Sequence, residues 1–303
     1  MKIFLTGASG YIGGSVAAAL KSSGHEVAGL VRSRARADQV RAQGIAPVLG
    51  TLGDSELLAR SAREAEAVIN TADADDRNSV DSFLAALAGS EKLFLHTSGS
   101  SIVGDQAGGE PTDKIYHDDT PVRPGPGRTA RVAVNQAVLG AVKNGVRAVV
   151  ICPSLIYGMG RGVHRESIQI PRLARLAQKH GVARHVGRGE NLWSNVHIDD
   201  LVDLYLLAVK QAPAGAFYYA ENGENSMRQL CEAISRALGF GGKTAPMSVE
   251  EASAELGEGP VAYSFGSNSR VRATRARSEL GWSPRRPALL ASIERDLGID
   301  APG

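Results

Sequence analysis

The stretch TGASGYIG, Thr6 to Gly13, constrains the fold of this chain more than any other feature. It directly follows the apolar run KIFLT and leads into the alanine-rich segment YIGGSVAAALKSS, so Gly7, Gly10 and Gly13 stand at a strand-to-helix turn. Glycines there let the backbone turn tightly and approach a pyrophosphate, and the helix N-terminus offers free N–H groups and a partial positive charge. Glycine is frequent in the chain, 35 of 303 residues, so the trio gains its meaning from this context. The expectation is a dinucleotide site in which Gly7, Ser9, Gly10, Tyr11, Ile12 and Gly13 surround the phosphates.

The first half of the chain supports an α/β fold, a doubly wound parallel Rossmann sheet with a smaller C-terminal substrate lobe. The runs KIFLT, EVAGLV, APVLG, AVINTA, KLFLHTS and VRAVVICP read as strands, and the segments between the first five place apolar residues at helical spacing. Beyond Pro153 the alternation stops and Gly, Arg and Pro become frequent. The predicted dinucleotide-binding domain is therefore 1–153 with a return segment near 196–220, and 154–195 with 221–303 form the substrate lobe. SNVHIDDLVDLYLLAVKQ reads as a strand end, a cap at Asp199 or Asp200, and a helix. SMRQLCEAISRALG reads as an amphipathic helix stopped by Gly239.

Charge and cysteine usage narrow the classes of function. With 43% hydrophobic residues and a formal charge of +2, the chain can bury a large core and carries no electrostatic signature of nucleic-acid or membrane-surface binding. Cys152 and Cys231 lie far apart without metal-ligand spacing, which predicts free thiols in a reducing compartment and no metal site. No apolar run approaches the roughly 20 residues of a membrane span. The expected location is the cytoplasm and the expected partner a small-molecule substrate.

Strand two ends in LVRSRAR, where a protein preferring NAD would place an acidic residue against the adenosine ribose. Arg32 stands there, followed by Ser33, Arg34 and Arg36. A guanidinium at this point suits a 2′-phosphate through charge-assisted, often bidentate bonds, so NADP(H) is the predicted cofactor.

Thr6–Gly13 resembles the glycine motif of the extended short-chain dehydrogenase/reductases, the group that includes NAD-dependent epimerases and dehydratases, and the resemblance runs along most of the chain. VLGTLGDSELL is similar to the family's adenine-contacting segment, with Thr51 and Leu52 in it and Thr51 where an aspartate is common. AVINTAD resembles the strand end beneath the cofactor and implies roles for Thr71, Ala72 and Asp73. HTSGSSIVG and CPSLIYG resemble the strand-five end and the loop passing the nicotinamide, which adds Thr97, Ser98, Pro153 and Leu155 to the implied cofactor contacts. NVHIDDLVDLY and ELGWSPRR resemble the late His-x-Asp-Asp and Gly-Trp-x-Pro elements; His197 and its aspartates are read as structural, and Trp282 as packing. The resemblance also implies a homodimer through the helices after strands four and five.

One part of the family pattern is missing. Its proton chemistry uses a Tyr-x-x-x-Lys pair on the helix after strand five, where lysine lowers the phenol's pKa; bringing a tyrosine from about 10 to near 7 takes roughly 4 kcal/mol. GPGRTARVAVNQ puts Gly127 in the tyrosine position and Arg131 in the lysine position, and no tyrosine occurs between Tyr116 and Tyr157. Gly99 matches the usual catalytic serine, flanked by Ser98 and Ser100. The candidate catalytic set is therefore Tyr157 as substitute proton donor, with Ser98, Ser100 and Arg131; Tyr116, His117 and His164 are weaker candidates. The favoured activity is NADPH-dependent reduction of a small carbonyl or imine. The alternatives are a catalytically silent NADPH-binding sensor or scaffold and, disfavoured for want of a base, a nucleotide-sugar epimerase or dehydratase.

Overall fold

A computed structural model of the chain describes residues 1–297; the end of the predicted substrate lobe, 298–303, lies outside the described residues. Five strands alternate with helices from the N-terminus: β1 (Lys2–Thr6), α1 (Tyr11–Ser22), β2 (Glu26–Val31), α2 (Arg34–Ala42), β3 (Ala46–Leu49), α3 (Ser55–Glu64), β4 (Ala67–Asn70), α4 (Arg77–Leu87) and β5 (Leu93–Thr97). After a short strand β6 (Tyr116–His117) come α5 (Thr129–Gly140), β7 (Arg147–Pro153) and β8 (Leu155–Tyr157). The remainder includes α6 (Gln169–His180), β9 (Ala183–Val186), β10 (Leu192–His197), α7 (Ile198–Gln211), β11 (Ala216–Ala220), β12 (Glu224–Ser226), α8 (Met227–Ala237), β13 (Thr244–Met247) and β14 (Val271–Arg272).

Seven strands form one parallel sheet in the order β11-β7-β5-β4-β1-β2-β3. Side chains alternate across a strand, so in β1 Ile3 and Leu5 join the core under α1 and α7 while Phe4 joins the core under α3, α4 and α5. Both faces are apolar because helices cover both. A third apolar cluster links α6, α8, β9 and the helix Leu289–Asp296. The strand order reverses between β4 and β1, and the crevice at the carboxyl ends of these strands is where open α/β sheets bind ligands.

Two local details differ from the sequence reading or refine it. The α7 cap is His197, whose Nδ1 accepts the Asp199 N–H at 3.1 Å, and neither aspartate caps the helix. Asp200 instead accepts the backbone N–H groups of Arg285 and Arg286 at 2.9 and 3.1 Å, while Trp282 Nε1 donates to its carbonyl. The His-Ile-Asp-Asp and Gly-Trp-Ser-Pro segments are thus one clasp that ties α7 to the C-terminal segment. Gly239, at φ +80°, ends α8 through the left-handed conformation that glycine adopts without strain.

Candidate active site

The cleft at the carboxyl edge of the sheet has a volume of about 1150 Å³ and is floored by the glycine turn. Gly7 takes φ +75°, and a Cβ on Gly13 would lie 2.3 Å from the Gly7 carbonyl oxygen and 2.4 Å from Thr71 Oγ1. Glycine is required at both positions for the chain to close this turn. The N-terminus of α1, at Gly10, has no side-chain cap, so its first-turn N–H groups remain available to an anion. The loop around Gly160 packs over α1: a Cβ on Gly14 would meet Gly162 Cα at 2.8 Å, and Tyr11 donates its hydroxyl to the Gly158 carbonyl at 2.7 Å.

From the glycine turn the cleft passes Arg32, Thr51 and Leu52 on one side and Thr71, Ala72 and Asp73 below. Arg32 is exposed at its rim. Ser33 and Arg36, predicted with it, do not line the cleft: Ser33 caps α2 by accepting the Arg36 N–H at 3.3 Å, and Arg36 bonds Gln39 at 2.9 Å. Thr51 donates its N–H and hydroxyl to the Asp54 carboxylate at 2.6 and 3.0 Å, a turn that fixes the segment beneath the cleft wall.

At the other end the cleft is walled by Ser98 to Ser101, Arg128, Arg131, Pro153 and Ser154. Ser98 accepts an amide hydrogen from Asn135, one helical turn after Arg131 on α5, at 2.9 Å. Arg131 forms a two-pronged ion pair with Asp75, at 2.8 and 2.5 Å, and donates to Ser101 at 3.2 Å. Hydrogen bonding to Arg131 holds the Asp75 carboxyl below its usual range; burial opposes the Arg131 charge, but Asp75 outweighs it and the guanidinium pKa rises. Ser100 faces the cleft but exchanges its hydroxyl with Ser269 at 2.8 Å. Thr97, predicted at the cofactor, bonds Tyr205 at 2.6 Å behind the wall and does not line the cleft. Burial pushes the Cys152 thiol up to about 12, so it is an inert packing residue.

Tyr157, the predicted substitute proton donor, does not reach this cleft. It is 2% exposed, donates its hydroxyl to the Pro287 carbonyl at 2.8 Å, and has its pKa pushed far up by burial. A phenol so committed has no proton to offer a ligand in the cleft. Leu155, predicted as a cofactor contact, is buried in the C-terminal apolar cluster. Tyr116 lies under Lys114, His117 faces Thr274, and His164 is exposed on the loop over α1. None of these three lines the cleft.

The structure brings in residues that spacing along the chain could not find. Val261–Phe265 forms a π-helical turn whose Tyr263, Ser264 and Phe265 line the cleft beside Trp193 and Arg172. Tyr263 accepts the Gly127 N–H at 2.9 Å, and a Cβ on Gly127 would stand 2.6 Å from its hydroxyl oxygen. A tyrosine has therefore come from more than a hundred residues away to fill space that a side chain at Gly127 would need; only the glycine itself was a sequence signal. Among the described residues no group of His, Cys, Asp and Glu side chains could hold a metal ion, and no helix is long and apolar enough to cross a membrane.

Comparison with known proteins agrees with this geometry. The model of the NAD dependent epimerase/dehydratase family matches residues 3–219. An Acremonium sp protein named oxidase ucsJ is 34% identical, over 97% of this chain and 95% of its own. A 2-alkyl-3-oxoalkanoate reductase of Stenotrophomonas maltophilia is 27% identical, over 79% of this chain and 76% of its own. Among solved structures, a dTDP-glucose 4,6-dehydratase from Streptomyces venezuelae with NAD bound superposes with a TM-score of 0.77 at 19% identity, covering 98% of this chain and 96% of that one. On the family match and the first of these relatives, the chain belongs to the NAD dependent epimerase/dehydratase family.

Proposed function

We propose that the protein is an NADPH-dependent reductase of a small carbonyl or imine compound. The observation that carries this reading is one continuous cleft holding the glycine cradle and Arg32 at one end and a hydroxyl-bearing wall at the other. The cradle residues fit a pyrophosphate: Gly7 and Gly13 admit no side chain, and the α1 N-terminus is uncapped. Arg32 would hold a 2′-phosphate at the rim. The name of the Stenotrophomonas relative supports a carbonyl reductase.

A bound nicotinamide supplies the hydride, which leaves the chain to orient the substrate and move one proton. We assign that role to Tyr263, a phenol that lines the cleft. Its oxygen accepts the Gly127 N–H, so its own hydrogen remains available to the cleft. Ser98, held by Asn135, is positioned to orient the carbonyl oxygen. Tyr263 would give its proton to the substrate carbonyl oxygen, and solvent would restore it.

The second reading is an NADPH-binding protein that turns nothing over, favoured by one observation: Arg131, in the lysine position, is committed to Asp75 and Ser101. Calorimetric NADPH titration beside a panel of aldehydes, ketones and imines separates the two. Binding with turnover supports the reductase, binding without turnover on any class supports the silent binder, and no binding removes both.

A further inference from the structure

The charged residues lining the cleft are Arg32, Asp73, Arg128, Arg131 and Arg172, so arginine outnumbers acid four to one. Two of the four are accounted for. Arg32 stands at the cofactor rim, and Arg131 is neutralised by Asp75. Arg128 and Arg172 have no carboxylate partner among the described residues.

Both are held by aromatic rings of the same π-helical turn. The Arg128 guanidinium lies 4.3 Å from the Tyr263 ring centre, and that of Arg172 lies 5.7 Å from the Phe265 ring centre. Stacking fixes the guanidinium plane while leaving its edge free for an oxyanion. Arg172 donates one hydrogen to the Leu256 carbonyl at 2.5 Å, whereas Arg128 makes only a long contact of 3.4 Å to the Gly127 carbonyl. The Nε of Arg128 is buried and bonds nothing, and so is the hydroxyl of Ser264, the next residue after Tyr263 and also in the cleft wall. Buried polar groups left unpaired are costly and rare.

The electrostatics point the same way. Burial first, and then the neighbouring charge of Arg131, disfavour the Arg128 charge, and Asp75 and Tyr263 offset this only in part. Arg128 also precedes the first turn of α5, which holds no acidic residue, so its charge opposes the helix dipole. An anion beside Arg128 would offset these penalties by direct charge pairing.

We infer that Arg128 is the anchor of a substrate subsite for an oxyanion, flanked by Ser264 and Arg172, and that the substrate is an anionic carbonyl compound bearing a carboxylate or a phosphate group. The subsite adjoins Tyr263, over whose ring Arg128 lies, in the cleft that Ser98 also lines, so the anion sets which end of the substrate meets the proton donor. This inference rests on the reductase reading, because it assigns the free part of the same cleft to a substrate.

The test is calorimetry on the full chain, first with NADPH and then, at saturating NADP⁺, with matched probes: hexanoate, 3-oxohexanoate, cinnamate and hexyl phosphate beside hexanamide, 3-oxohexanamide, cinnamamide and hexanol. The expected result is that carboxylates, or the phosphate, bind about tenfold or more tighter than their neutral partners. Arg128→Gln removes the preference and Arg128→Lys keeps part of it, while NADPH affinity is unchanged in both. A preference confined to hexyl phosphate assigns the subsite to a phosphate ester, and one shown by the acids assigns it to an oxo acid. With NADPH bound normally, neutral probes matching every anion, or a preference that survives Arg128→Gln, overturns the inference. Failure of the wild-type protein to bind NADPH is the separate result that overturns the reductase reading.

Discussion

Tyr263 and Gly127 share one space: the Tyr263 hydroxyl oxygen lies 2.6 Å from where a Gly127 Cβ would be, and it accepts the Gly127 N–H at 2.9 Å. The glycine therefore admits the phenol where any side chain would exclude it. This couples the turn before α5 to the Val261–Phe265 turn.

Removal of the phenol tests its assigned role. Tyr263→Phe should lower kcat about a hundredfold, the usual scale of a lost general acid, and leave NADPH affinity intact. Gly127→Ala should lower kcat too, because its methyl group displaces the phenol. Unchanged kcat in Tyr263→Phe would assign the ring to packing alone.

Tyr157→Phe should behave in the opposite way. Its hydroxyl bonds the Pro287 carbonyl outside the cleft, so kcat should hold while stability drops by about 1 kcal/mol, the worth of one hydrogen bond. Thermal unfolding read beside kinetics checks both halves.

Cofactor choice should follow Arg32. Arg32→Asp should weaken NADPH binding by roughly ten- to a hundredfold, the loss of a charge-assisted contact at about 1.4 kcal/mol per factor of ten, and spare NADH. Equal losses for the two cofactors would remove Arg32 from the site.

Stability should depend on pH through His96. The residue is buried in β5 with Nδ1 3.2 Å from Asn70 Nδ2. Burial, then the charge of Arg131, hold its pKa down to about 4 from 6.5. Between these values the unfolded chain binds a proton that the folded chain refuses. Stability therefore falls as pH drops through this window, by up to roughly 1.4 kcal/mol per unit. His96→Gln should flatten that slope in denaturant unfolding measured from pH 7 to 4, and an unaltered slope would place the titration elsewhere.

The parts of the fold legible in the sequence were those encoded by contiguous residues. The glycine turn, the six strand runs and the Gly239 stop each combine a local conformational demand with a nearby apolar period, and the structure places the elements there. The α7 cap is not legible because any of His197, Asp199 and Asp200 could accept an N–H, and the structure gives the role to His197. The place of the Tyr157 hydroxyl is not legible for a different reason. Its proximity to the family loop in sequence said nothing of side-chain direction, and Pro287, distant in sequence, claims its hydroxyl. Tyr263, Arg128 and Arg172 were invisible because they meet only when the Val261–Phe265 turn folds over α5 and α6.

The central claim, that the cleft reduces an NADPH-supported substrate with Tyr263 as proton donor, is tested most directly by nicotinamide absorbance. NADPH consumption would be followed with the carbonyl panel for the wild-type protein and Tyr263→Phe, at enzyme concentrations where both bind the cofactor. The account predicts turnover on at least one carbonyl class and its near loss in the variant. Full turnover in the variant, or NADPH binding with no consumption on any class, would contradict it.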